Sequence, residues 1–256
     1  MTSCIAVAGK GGTGKTTICG LLINHLTKAG KGPILAVDAD PNSNLNEVLG
    51  VKKEISLGEI REEIAKAEWA EKNPIPPGMS KQDFADFRFN SALIEEDDFD
   101  MLVMGRTQGK GCYCFVNDIL RDRIEKYYRN YKYMVVDNEA GLEHISRGIL
   151  PPVDIIFLVS DCSRRGIQAA GRIAEMIGEL DMKVKKISLI VNRAPEGRLE
   201  PGIEEEIQLQ KLSLAGVIPH DDRVFRADAE GVALIKLPED SAVKLSLGEI
   251  LKKMDL

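Results

Sequence analysis

The sequence predicts an α/β fold, a mostly parallel central sheet flanked by helices. Apolar, β-branched-rich runs recur along the chain at 4–8, 34–37, 101–104, 133–136, 155–159, 187–191 and 214–218, each of strand length and bounded by turn residues. Between several of them the apolar residues fall at helical spacing, over 15–29, 56–70, about 116–128 and about 165–180. Strands alternating with helices imply parallel pairing through right-handed crossovers. With 256 residues and no internal repeat, one domain spanning 1–256 is the economical reading.

The first unit organises the rest. Cys4-Ile5-Ala6-Val7-Ala8 is a strand, Gly9-Lys10-Gly11-Gly12-Thr13-Gly14-Lys15-Thr16-Thr17 a glycine-rich loop, and Ile18, Leu21, Leu22 and Leu26 the apolar stripe of a helix ending at Gly30. Strand, loop and helix in that order turn the spacing G-x-x-x-x-G-K-T into a phosphate site. Backbone N–H groups of Gly11, Gly12, Thr13, Gly14 and Thr17 can curl around an anion, and the helix start adds partial positive charge. Lys15 is expected at the β- and γ-phosphates of a nucleotide, and the Thr16 hydroxyl on Mg²⁺.

The second strand ends in Asp38-Ala39-Asp40-Pro41 and the fourth in Asp137-Asn138-Glu139-Ala140-Gly141. Carboxylates at the carboxyl ends of strands lie where ligands bind in open α/β sheets. Asp137, closing an apolar strand, is expected to hold Mg²⁺ through water. Gly141, four residues on, is placed for a γ-phosphate contact that orders or releases a switch loop. Asp38 and Asp40 also fit a purely structural role, capping the turn at Pro41. Residues 71–99, opening on Asn73-Pro74-Ile75-Pro76-Pro77-Gly78 and containing the acidic run Glu95–Asp98, read as an irregular insertion or flap with a solvated acidic face. The tail places Val243, Leu247, Ile250, Leu251 and Met254 on one stripe. Core packing is expected there rather than a membrane-lying helix, because Glu249 and Asp255 offset the lysines of its polar face.

A net charge of −6 argues against non-specific nucleic-acid binding, and no apolar run approaches the ~20 residues of a membrane span. A strand beginning near the N-terminus leaves no room for a signal peptide, and five scattered cysteines fit a reducing cytoplasm. Cys112-Tyr113-Cys114 stands apart, in a turn flanked by Gly109 and Gly111. Residues two apart diverge on a regular strand or helix, so both thiols meet one ion only where the backbone turns. Two soft ligands are half of a closed zinc site, and a two-fold axis would supply the rest. The pattern also fits two buried helix-start cysteines or a redox pair.

The loop's additional Lys10 makes it similar to the deviant Walker A motif of the SIMIBI-class P-loop ATPases that include MinD, ParA and the nitrogenase iron protein. That resemblance implies a homodimer in which Lys10 reaches the partner's nucleotide, as an arginine finger does. It implies that Asp40 orients or activates the attacking water and that Asp38 joins the Mg²⁺ shell. It also implies that Asn192, Arg193 and the Pro219-His220-Asp221 segment border the adenine. The sequence lacks the Asn/Thr-Lys-x-Asp guanine motif, which favours ATP and ADP over guanine nucleotides.

Gly111-Cys112-Tyr113-Cys114 with Asn117, together with the stretch Asp137–His144, resembles more narrowly the CooC-type ATPases that serve maturation of nickel carbon monoxide dehydrogenase or acetyl-CoA synthase. This implies Ni²⁺ or Zn²⁺ on Cys112 and Cys114 of both subunits and a nickel-enzyme client. His144 would be a relay or transient ligand, although a turn or core histidine is the more economical reading. The alternatives are a MinD/ParA-like positioning ATPase, which needs a basic face or tail, and an electron-transfer ATPase like the iron protein, whose cluster cysteines lie on two separate stretches.

Overall fold

The structure is a computed structural model. It describes residues 2–40, 42, 44–53, 55–66, 74–105, 122–138, 151–180 and 182–256. Eight strands form one sheet: β1 (Ser3–Gly9), β2 (Ile34–Ala39), β3 (Ile94–Glu95), β4 (Asp100–Val103), β5 (Tyr133–Asn138), β6 (Ile155–Asp161), β7 (Lys186–Ala194) and β8 (Leu214–Pro219). Their order is β3-β4-β2-β5-β1-β6-β7-β8. Only the short edge strand β3 runs antiparallel, to β4; the other pairings are parallel.

Successive side chains of a strand point to opposite faces, and here both faces are covered. Ile5 and Val7 of β1 belong to one apolar cluster with α1 (Lys15–Lys28), α2 (Leu45–Leu49) and the C-terminal helix. Cys4, Ala6 and Ala8 belong to the other, under α3 (Leu57–Lys66) and α4 (Lys81–Ala92). Double burial is why these strands read as continuous apolar runs. Residues 122–128 are helical (α5), followed by α6 (Arg164–Glu179), α7 (Pro201–Leu209), α8 (Asp222–Ala229) and α9 (Ala242–Lys252). Ser163 caps α6, accepting the Gly166 N–H at 3.0 Å.

The expectation of an irregular flap at 71–99 is corrected for residues 81–92, which form α4. Ser80 caps this helix, and Phe84 and Phe89 are buried in the same core as the strands. Phe89 packs on Tyr127 with ring centroids 5.1 Å apart, Arg88 Nε bonds Glu63 Oε2 at 2.8 Å, and Arg123 Nε meets Asp86 Oδ1 at 2.6 Å. Apolar area removed from water, with ion pairs to the helices on either side, holds the segment against the sheet. Residues 71–73 lie outside the described residues.

The tail stripe is core, as its sequence suggests: Val243, Leu247, Ile250 and Leu251 are buried. Ile250 sits so close to β8 that a Cβ on Gly216 would lie 2.5 Å from it. Lys244 Nζ donates to the carbonyls of Ile235 (2.8 Å) and Leu237 (2.7 Å), tying α9 to the preceding turn. Among the described residues, no helix is long and apolar enough to cross a membrane.

Candidate functional site

Parallel pairing puts the carboxyl ends of β1, β2, β5, β6, β7 and β8 on one edge of the sheet, and the expected site residues converge there. The Gly9–Thr17 loop leaves β1 and enters α1 directly. Gly9 and Gly14 are required by close approach. A Cβ on Gly9 would lie 2.2 Å from the Val159 carbonyl oxygen, and one on Gly14, at φ +91°, 2.4 Å from Asn192 Nδ2. The loop is braced from within: the Thr13 hydroxyl donates to the Lys10 carbonyl at 2.9 Å, and Lys15 Nζ donates to the same oxygen at 3.3 Å. It borders a cavity of about 450 Å³ whose lining includes Gly11, Gly12, Gly14, Lys15, Thr16, Thr17, Asp40 and Arg193. Two residues missed in the sequence, Asn42 and Asn44, line it too. Their signal was the run of polar turn residues after Asp40.

Asp38 and Asp137 are register partners on β2 and β5, and both are buried. Their surroundings separate them. Asp38 Oδ1 accepts the Asp40 N–H and Oδ2 the Leu45 N–H, each at 3.1 Å. The carboxylate thereby holds the turn that carries Asp40 and the start of α2. Burial still pushes Asp38 up to about 6 against these two bonds. Apart from the nearby Thr16 hydroxyl, no described residue is placed to donate a hydrogen bond to either oxygen of Asp137. Burial pushes it up to about 7, the nearby Thr16 hydroxyl and Lys15 pulling the other way and Asp38 adding repulsion. A buried carboxylate with little but a threonine hydroxyl and a lysine beside it among the described residues is the donor set a hydrated divalent cation completes. Asp137 and Thr16 fit Mg²⁺. Each Asp38 oxygen accepts one N–H and keeps a further lone pair, so anchoring the turn is compatible with its expected place in the Mg²⁺ shell. Asp40 faces the cavity, with Oδ1 accepting the Asn42 N–H at 2.8 Å.

Asn192 and Arg193 come from β7. Asn192 Nδ2 donates to the Thr13 carbonyl at 2.9 Å and its Oδ1 accepts the Arg193 N–H at 3.0 Å. Arg193, at φ +58°, donates from its guanidinium to the Gly12 carbonyl at 3.1 Å. These two residues therefore hold the loop as well as bordering the site. Adjoining the loop is a second cavity of about 270 Å³, lined by Thr17, Asn192, Arg193, Pro219, His220 and Asp221, and also by Val224 and Phe225. The Asp221 carboxylate caps α8 through the Arg223 N–H at 3.0 Å and pairs with the Arg223 side chain at 3.1 Å. Burial would raise its pKa, but Arg223 outweighs it and holds the group below the usual range.

Lys10 is exposed at the front of the loop, and no described residue pairs with its ammonium. Gly141, Cys112, Cys114 and His144 lie outside the described residues. Among the described residues, no cluster of three or more His, Cys, Asp or Glu side chains is arranged to hold a metal.

Comparison with known proteins agrees with this geometry. The family model described as the CobQ/CobB/MinD/ParA nucleotide binding domain matches residues 4–235. An uncharacterized ATP-binding protein of Methanocaldococcus jannaschii is 42% identical, over 98% of this chain and 97% of that one. The carbon monoxide dehydrogenase accessory protein CooC of Rhodospirillum rubrum is 30% identical, over 91% of this chain and 89% of that one. The septum site-determining protein MinD of Pyrococcus horikoshii, solved with Mg-ADP, superposes with a TM-score of 0.71 at 20% identity, covering 100% of this chain and 96% of that one. The chain belongs to the CobQ/CobB/MinD/ParA nucleotide-binding family of ATPases.

Proposed function

We propose that the chain is an ATP-driven metallochaperone of the CooC type. In this reading two copies associate on binding nucleotide or metal, hold Ni²⁺ or Zn²⁺ on Cys112 and Cys114 of both protomers, and deliver nickel to a carbon monoxide dehydrogenase or acetyl-CoA synthase. The observation that carries it is the Gly111-Cys112-Tyr113-Cys114 segment, in a chain 30% identical to CooC over nearly its whole length. Two thiolates per chain leave a metal half-coordinated, and a symmetric pair of chains completes a tetrahedron.

The ATPase edge supplies the drive. Backbone N–H groups of Gly11 to Thr17 and the start of α1 bind the phosphates, with the Lys15 ammonium beside them. Asp137 and Thr16 are the residues that would hold Mg²⁺, which when bound neutralises phosphate charge. Asp40 orients the attacking water, its turn fixed by Asp38. The ammonium of Lys10, at the exposed front of the loop and with no partner among the described residues, reaches the partner's nucleotide and offsets charge during γ-phosphoryl transfer. Hydrolysis removes that link and lets the pair reset.

Replacing Cys112 and Cys114 together by serine tests the reading. Equilibrium dialysis should show Ni²⁺ and Zn²⁺ binding abolished and ATP binding kept, and light scattering should show wild-type dimers forming with ATP or metal. Undiminished metal affinity in the double variant rejects it. Strong ATP-dependent capture of the wild-type chain on liposomes, with no metal bound, favours a MinD-like role.

A further inference from the structure

The 270 Å³ pocket adjoins the phosphate cavity, since Thr17 and Arg193 line both. A nucleotide whose phosphates lie on the Gly9–Thr17 loop therefore has its base in this pocket. The polar groups expected to read the base edge are already partly committed to other partners. Asn192 bonds the Thr13 carbonyl and the Arg193 N–H, and Asp221 holds Arg223 and the start of α8. Beside these groups the pocket has an apolar wall. Phe225, on the second turn of α8, lines it and is 70% exposed. Pro219 and Val224 form further apolar wall. A ring left in water beside a cavity of this kind gains by covering a planar aromatic ligand.

We propose that Phe225 is the base-holding residue of this ATPase, its ring stacking on the purine of the bound nucleotide. The inference rests on the ATPase reading and adds how the base is gripped. Stacking uses the π-face that every base has, so it supplies affinity without strong discrimination between purines. Adenine and guanine nucleotides should thus depend on Phe225 alike.

Calorimetric titration of the wild-type chain, Phe225→Ala and Phe225→Tyr with Mg-ADP, Mg-GDP and inorganic tripolyphosphate tests this. In Phe225→Ala the Kd for both ADP and GDP should rise about tenfold, equivalent to ~1.4 kcal/mol. Phe225→Tyr, which keeps the ring, should stay within about twofold of wild type, and tripolyphosphate should bind all three alike. Unchanged ADP affinity in Phe225→Ala overturns the proposal. So does a parallel loss of ADP and tripolyphosphate, which marks a disturbed loop, or a loss confined to ADP, which marks edge reading. Failure of the wild-type chain to bind ADP overturns the ATPase assignment itself; normal wild-type binding with an unaffected Phe225→Ala overturns only the role of Phe225.

Discussion

Asp137→Asn should make the protein more stable and less active at once. Asp137 is 1% exposed, and beside the Thr16 hydroxyl no described residue is placed to bond its oxygens. Its pKa stands at about 7 in the folded chain against the usual 3.8, burial being the main cause. At ~1.36 kcal/mol per pH unit, that difference is ~4 kcal/mol of folding free energy. The sign follows from proton binding. The folded chain holds this proton more tightly than the unfolded one, so the group's contribution is most favourable below about pH 4. It declines as pH rises, and has been lost above about pH 7. Asparagine keeps the shape and removes the charge. Urea unfolding in EDTA should therefore show Asp137→Asn more stable than wild type by ~2–4 kcal/mol at pH 8, and nearly equal to it at pH 4. Mg-dependent ATP hydrolysis should fall by about 100-fold or more, because the metal-side carboxylate is gone. A variant less stable than wild type at pH 8, or with the same pH slope, would refute the account of Asp137 as an uncompensated buried charge held for function.

Three further outcomes are expected. Gly14→Ala, strained at φ +91° and meeting Asn192 Nδ2 at 2.4 Å, should cost ~1–2 kcal/mol of stability and at least about tenfold in ADP affinity; calorimetry reads both. Phe89→Ala should lose ~3–5 kcal/mol in urea unfolding, whereas a cost below about 1 kcal/mol would mean α4 is a loose flap after all. Lys10→Ala keeps the carbonyl that braces Thr13 and Lys15, so ATP binding should stay within about twofold while phosphate release falls about 10³-fold. Binding and hydrolysis lost together would remove Lys10 from a role across the dimer.

Much of this protein was legible before folding because its signals are local. The loop at Gly9–Thr17 declares itself through glycine spacing between a strand and a helix. The doubly covered strands show as unbroken apolar runs, and the α9 stripe shows through its period. The α4 segment was not legible. Phe84, Ala85, Phe89 and Ala92 fall on one helical face, but Phe87 lies off it and the segment follows a Pro-rich break that reads as loop. Its helix is decided by Tyr127, Glu63 and Arg123, which reach it from elsewhere in the chain.

The site divides along the same line. Asp38 and Asp137 look equivalent in sequence, each an acid closing an apolar strand, and the sheet sets them side by side. How many of its hydrogen-bond positions each keeps open depends on where the following chain goes. After Asp38 it turns back, so the N–H groups of Asp40 and Leu45 meet the carboxylate; beside the Thr16 hydroxyl, no described group is placed to bond Asp137. Asn192 and Asp221 likewise look free in sequence and prove to hold the loop and the start of α8, beside the exposed ring of Phe225. Residue type and spacing determined which chemistry the chain carries. Only the packing around each polar atom decided which groups remain available for it, because hydrogen-bond satisfaction depends on neighbours in space and not along the chain.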